Sequence, residues 1–312
     1  MWLVMIVVVM MPEQITTGRE KVISTHTDID NDNTIEGKTT VKPLAKVIQR
    51  KKELSSPILI AGFPGPGLVG SISTTYIIDK LQMNQMACVE SEYIVPGVIY
   101  VGGKLRHPFR LYANNDGNVC VLVCEAPIMI QGMYSVLNTV MKWALDNKVK
   151  EVMVLDGIAT QGLPDSKRMP MILSSDGESA DAANLLQDSN NSTLADKIGA
   201  ATDAAASYPN TAFIGGIAGG LLSSCLSSGI ACKALLVLST SGIPDPEGAA
   251  ILIESVGKST NNRILKIDTT QLREQGANLK RRMEEIIRSV SGQQQQQEGQ
   301  GTPRVREGIM YG

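Results

Sequence analysis

Histidine is almost absent from this 312-residue chain. The two that occur are His26, in a polar stretch, and His107, beside Pro108 in a predicted loop. No Gly-x-Ser-x-Gly, His-Glu-x-x-His or Cys-x-x-Cys pattern is present. Those are the sequence signatures of a serine hydrolase, a zinc peptidase and a dithiol or zinc-ribbon site. Without a nucleophile paired to a base, no enzyme is predicted, and no catalytic residue, metal or cofactor is expected. Charge of one sign is lacking too. The 29 basic and 31 acidic side chains leave a net −2 with no long basic block, so neither nucleic acid nor an anionic membrane is an expected partner. The five cysteines, Cys88, Cys120, Cys124, Cys225 and Cys232, are odd in number, and four lie in apolar segments. They read as reduced thiols of a cytoplasmic protein rather than disulfides or metal ligands. Met1 to Met11, MWLVMIVVVMM, is about half the length of a membrane-spanning helix and carries neither a basic flank nor a cleavage site. Because Met10 and Met11 stand just before the polar stretch, residues 1 to 9 or 10 are expected to be a start-site artefact. An intact mass retaining Trp2 would reject that expectation.

Between polar ends the chain carries the pattern of a folded core. Ile58-Leu59-Ile60-Ala61 is a short buried strand closed by Gly62 and a Pro/Gly cluster, and Leu68 to Leu81 follows as a helix. Cys88 to Tyr100 is rich in strand formers but broken at Pro96-Gly97. Val119 to Cys124 is continuously apolar, as a strand covered on both faces requires. Gln131 to Asn147 places Met133, Leu137, Val140 and Ala144 along one helical stripe. Val152 to Leu155 leads into Asp156-Gly157, and Ala234 to Leu238 is the last apolar strand. Helices are expected from Leu221 to Ser228, after a glycine-rich run, and from Pro246 to Val256, with Glu247 at the positive end. The alternation predicts an α/β fold with a largely parallel sheet. It spans residues 51–267, with a polar surface excursion over 174–209 and a disordered arm over 1–50. Asp156, Asp165 and Asp245 follow apolar strands, where such carboxylates more often cap turns and helices than catalyse.

Gly65-Pro66-Gly67-Leu68-Val69-Gly70 matches G-x-G-x-x-G after a strand, and Glu90 lies twenty residues on, where a ribose-binding acid would stand. Pro64 and Pro66 argue against a phosphate cradle, since neither has an N–H to donate. A tight strand-to-helix turn with glycines for close packing is the favoured reading. A nucleotide-like ligand or enzyme site at Gly65, Gly67 and Gly70 is the alternative.

Two features lie beyond the core. Leu272, Leu279, Met283, Ile286 and Val290 are spaced seven, four, three and four, an a/d pattern within a helix over 268–290. It suits either packing on the same domain or a homo-oligomer seam. Ser291 to Gly308 is rich in Gln and Gly and is predicted to be a flexible tether within a 291–312 tail. It ends in Met310, Tyr311 and Gly312, an order that resembles the hydrophobic–Tyr–any C-terminal motif of proteasome regulators and assembly factors.

Three further stretches carry a wider likeness: Ile60-Ala-Gly-Phe-Pro-Gly-Pro-Gly-Leu-Val-Gly70, Gly215-Gly-Ile-Ala-Gly-Gly-Leu-Leu222 and Pro244-Asp-Pro-Glu-Gly-Ala-Ala250. In that order the chain resembles the proteasome assembly chaperone 2 family in its archaeal form, over about Pro57 to Val256. The resemblance implies a three-layer α/β/α fold, with a largely parallel or mixed sheet, similar to nucleoside phosphorylases. It implies a non-enzymatic assembly chaperone or ATP-independent regulator of the core proteasome. The implied partners are proteasome α-subunits, reached through Met310, Tyr311 and Gly312, and further copies of the chain.

Overall fold

Leu59 and Ala61 face one side of a strand and Ile58 and Ile60 the other, and all four are buried. A strand apolar on both faces has to lie inside a sheet with helices above and below it. The computed structural model of the chain describes residues 44–49, 53–176, 213–260 and 265–298. In chain order the elements are β1 (Ala45–Gln49), β2 (Ile58–Gly62), α1 (Val69–Lys80), β3 (Asn84–Ser91), β4 (Ile99–Val101), β5 (Lys104–Arg106), β6 (Phe109–Ala113), β7 (Val119–Cys124), α2 (Met133–Asp146), β8 (Glu151–Thr160), β9 (Met171–Ser174), α3 (Gly216–Ser228), β10 (Ala231–Thr240), α4 (Pro246–Ser259) and α5 (Thr270–Glu298). Eight strands form one sheet in the order β1-β3-β6-β7-β2-β8-β10-β9, and β4 with β5 makes a separate ribbon.

The centre of the sheet, β7-β2-β8-β10, is parallel. Both flanks are antiparallel, with β6, β3 and β1 on one side and β9 on the other. One face is covered by α2 and α3, which supply Val136, Leu137, Val140, Leu221 and Cys225 to a core with Leu59, Val152 and Val154. The opposite face is covered by α1, α4 and the start of α5. Ile77, Leu252, Val256 and Leu272 pack there on Ile60, Met153 and Leu235. The result is a three-layer α/β/α domain with a mixed sheet.

Several elements depart from the sequence reading. Residues 45–49, assigned to a disordered arm, form the edge strand β1, with Ala45 buried and Gln49 Oε1 accepting a 2.7 Å bond from Trp143 Nε1. A five-residue edge strand with one buried position leaves little periodic signal. Strand β6 was not anticipated because Arg110 interrupts its apolar pattern. Arg110 is buried, and its Nη2 meets Glu125 Oε2 at 2.5 Å. Strand β8 runs on through Asp156-Gly157 to Thr160, and β9 was not anticipated. Helix α3 begins at Gly216, inside the glycine-rich run, and packs Gly220 closely on α2, where a Cβ would lie 2.5 Å from Leu137 Cδ1. Helix α5 continues to Glu298 through the Gln run expected to be tether, Gln being a good helix former. Residues 177–212, most of the polar excursion, and the first 43 residues lie outside the described residues.

Candidate functional site

The glycine turn leaves β2 at Gly62 and passes through a short 3₁₀ turn, Pro66–Leu68, into α1. Gly67 (φ +64°) and Leu68 (φ +52°) are both left-handed, which reverses the chain in two residues. Leu68 N donates to Gly65 O at 2.9 Å, and Asp245 N donates to Gly67 O at 2.8 Å. Every glycine here is in close contact. A Cβ on Gly65 would strike Asp156 Oδ1, and one on Gly70 would strike Leu155 O. On Gly67 it would lie 2.8 Å from Ser239 Cβ and 2.9 Å from Asp245 Cβ. Side chains of β8, of β10 and of the cap of α4, namely Asp156, Ser239 and Asp245, crowd the turn. The glycines serve close packing.

Asp245 organises the other side of the turn. Its Oδ1 accepts from Gly248 N at 2.8 Å, capping α4. Its Oδ2 accepts from Ser239 Oγ at 2.6 Å and from Arg168 Nη2 at 2.5 Å. Arg168, whose side chain is 4% exposed, also donates through Nη1 to Asp165 O at 2.9 Å. One buried ion pair therefore ties together the loop after β8, the end of β10, the start of α4 and the glycine turn. Neither Arg168 nor Ser239 carries a sequence signal for this role, because their partners stand 77 and 6 residues away. Asp165 accepts from Lys167 N at 2.9 Å and His107 Nδ1 from Phe109 N at 3.1 Å, so both serve local turns. Among the described residues no group of three or more His, Cys, Asp or Glu is placed to hold a metal.

Asp156 projects beside Gly65 and accepts from Gly157 N at 2.7 Å. Burial pushes its carboxyl above the ordinary carboxylate range, and the Gly157 bond only partly opposes this. A raised folded-state value means that ionisation opposes folding. The stability contribution of this group is present at acid pH and lost as pH rises through the folded value. Asp156→Asn should therefore raise the melting temperature at neutral pH, the gain fading below about pH 4. A loss of stability at pH 7 would show that the carboxylate has an ionic role.

The predicted seam residues on α5 divide along the helix. Leu272 is 3% exposed and belongs to the domain's own core. Gly276 is buried against α4, since a Cβ there would lie 2.8 Å from Glu247 Cβ and 3.0 Å from its N. This glycine, a weakness for an isolated helix, is what lets α5 approach α4. Leu279 and Met283 line a shallow groove of about 40 Å³ with Leu163, Ile243 and Pro244. Ile286 is about half exposed, at 54%. The side chain of Val290, and Met310, Tyr311 and Gly312 entirely, lie outside the described residues.

The architecture defines a mixed-sheet α/β/α protein whose conspicuous turn is a packing device. Residues 59–287 match the model of the PAC2 family, and the chain belongs to that family. A Thermoplasma acidophilum protein of unknown function is similar at 31% identity, over 79% of this chain and 92% of that one, with a TM-score of 0.57. Pyrococcus furiosus PbaA, described as an archaeal homolog of proteasome-assembly chaperone, shares the fold at 19% identity and TM-score 0.61, over 82% of this chain and 97% of its own. Pyrococcus furiosus PbaB, described as an archaeal proteasome activator, does so at 19% and 0.59, over 80% and 100%.

Proposed function

We propose that this chain is a non-enzymatic, ATP-independent proteasome assembly chaperone or regulator that inserts its C-terminal tail into pockets between α-subunits of the core proteasome. Family membership and the folds shared with PbaA and PbaB support the general role. The observation that carries the docking mode is the course of α5. Tyr76 Oη and Lys80 Nζ, in the last turns of α1 at the amino end of the sheet, bond Asp268 O and Gln271 Oε1. Gly276 and Lys280 then lie against Glu247 and Ser166 at the carboxyl end. From Met283, the last groove residue, to Glu298 the helix continues for about 22 Å at 1.5 Å per residue. The fourteen residues that follow can reach a further ~48 Å when extended.

Met310 fills an apolar slot, the Tyr311 ring packs beside it with its hydroxyl at the rim, and the Gly312 carboxylate pairs with a pocket cation. The reading requires Gly312 to carry the terminal carboxylate. One such tail binds weakly once its ordering is counted, whereas several on one assembly gain about a hundredfold or more. The test is binding to immobilised core proteasome by the full chain and by a variant ending at Ile309. Loss of binding with Met310, Tyr311 and Gly312 is expected, and undiminished binding by the shortened chain would remove the tail from the mechanism.

A further inference from the structure

Helix α5 does more than carry the tail away from the domain. On its way out it contributes to the groove in which Leu279 and Met283 meet Leu163, Ile243 and Pro244. The same groove is lined by two opposite charges beyond the Arg168–Asp245 pair, Glu247 and Lys280. Lys280 Nζ bonds the Ser166 hydroxyl at 3.0 Å and has no carboxylate partner among the described residues. At about 40 Å³ the groove admits one slender aliphatic side chain and excludes an aromatic ring. Methionine, unbranched and polarizable, is the residue that best fills so irregular a gap.

We infer that this groove holds Met310-Tyr311-Gly312 of the same chain while the tail is not engaged elsewhere. Its regulatory meaning rests on the docking reading above, and like that reading it requires Gly312 to carry the terminal carboxylate. Reach is the first argument. The groove positions Leu279 and Met283 lie about 22–28 Å back along α5 from Glu298. The twelve residues from Gly299 to Met310 span at most ~40 Å and, as a coil, roughly 17–21 Å. Gly299, Gly301 and Pro303 follow the last helical residue, and these are residue types that close helices and turn chains back. Charge is the second argument. Arg306 stands four residues before Met310 and the Gly312 carboxylate two after it, the complements of Glu247 and Lys280 in one short segment. With Met310 in the groove the Tyr311 ring stays outside. Tethering is the third argument. It holds the tail at roughly millimolar effective concentration, enough for a contact too small to recruit a free peptide. A tail so held is withdrawn from α-ring pockets, and its apparent affinity for them falls by the fraction of time it spends in the groove.

Carbon-13 labelling of the methionine methyls, in the full chain and in a chain ending at Glu298, tests the contact. The Met283 methyl signal, assigned through Met283→Leu, should differ between the two chains, and the difference should not change on dilution. In the full chain, Leu279→Glu and Lys280→Glu should each move the Met310 signal toward its position in an unfolded chain. Either variant should also bind core proteasome about two- to tenfold more tightly than the parent. A Met283 signal identical in the two chains would overturn the inference. So would a difference lost on dilution, which would place the tail on another copy. Tail contact with no tighter proteasome binding in either variant would overturn the withdrawal. If neither parent nor variants bind the proteasome, the docking reading fails by itself and the methyl signals still decide what the groove holds.

Discussion

Gly67→Val should lower the melting temperature markedly. Gly67 has φ +64°, where a β-branched residue is strained by about 1–3 kcal/mol. The new Cβ would also press on Ser239 and Asp245, whose own Cβ atoms would stand 2.8 and 2.9 Å away. Neither neighbour can retreat. Ser239 Oγ is held by Asp245 Oδ2 at 2.6 Å, and Asp245 N is itself bonded to Gly67 O. Overpacking adds about 1–3 kcal/mol. The combined loss of about 2–6 kcal/mol is a large share of an ordinary domain's stability and corresponds to a fall of roughly 4–24 °C at this size. Circular-dichroism melts would read it. Gly102→Ala separates the two terms, for Gly102 is also left-handed (φ +58°) but has nothing within 4 Å. If Gly67→Val melted no lower than Gly102→Ala, steric interlock would not be the reason for the glycine.

The second large effect belongs to Arg168. Replacing it by Met keeps most of the apolar stem and removes the charge, leaving the Asp245 carboxylate buried with only Ser239 Oγ and Gly248 N as donors. Breaking one side of a buried pair costs about 3–5 kcal/mol, chiefly because the remaining charge has lost its compensation. In urea unfolding, Asp245→Asn added to Arg168→Met should therefore restore part of the loss, although Asp245→Asn alone destabilises. Additive losses in the double variant would assign the effect to packing of the arginine stem rather than to charge. Four segments meet at this pair, so the lower unfolding midpoint should appear equally in fluorescence and circular dichroism.

What the sequence disclosed follows from what is local. The inner strands β2, β7, β8 and β10 announce themselves because burial on both faces leaves an apolar run in each. The helices α1, α2 and α4 stand where they were expected, and of the three only α4 has a side-chain cap, Asp245. The flanking strands β1, β6 and β9 were hidden for separate physical reasons. Strand β1 is an edge, β6 carries a buried arginine that reads as surface until Glu125 is placed beside it, and β9 is four residues long. The site was legible to the same extent. A tight turn with glycines for close packing was expected at Gly65–Gly70, and each of its glycines is in close contact. Arg168 and Ser239 were invisible, since an ion pair across 77 residues leaves no spacing to find. The a/d pattern of α5 suited either packing on its own domain or an oligomer seam. Leu272 serves the domain's own core, and the outer positions lie beyond it.

The place of β2 in the sheet has a consequence for the order in which the molecule can form. This strand leaves the ribosome first among the parallel four, yet it pairs with β7 and β8, whose last partners to it are Val123 and Leu155. At about 5–20 residues per second, the interval between Gly62 and Leu155 lasts roughly 5–20 s. For roughly the first 3–12 s of it, until Val123 is made, Ile58-Leu59-Ile60-Ala61 has neither strand neighbour and only α1 to cover it, and β8 follows only at Leu155. Contacts so distant along the chain also make folding slow. The nascent chain is therefore most open to aggregation before residue 155 is made, and a holdase acting on it would find its principal target in the strand that later becomes the best protected.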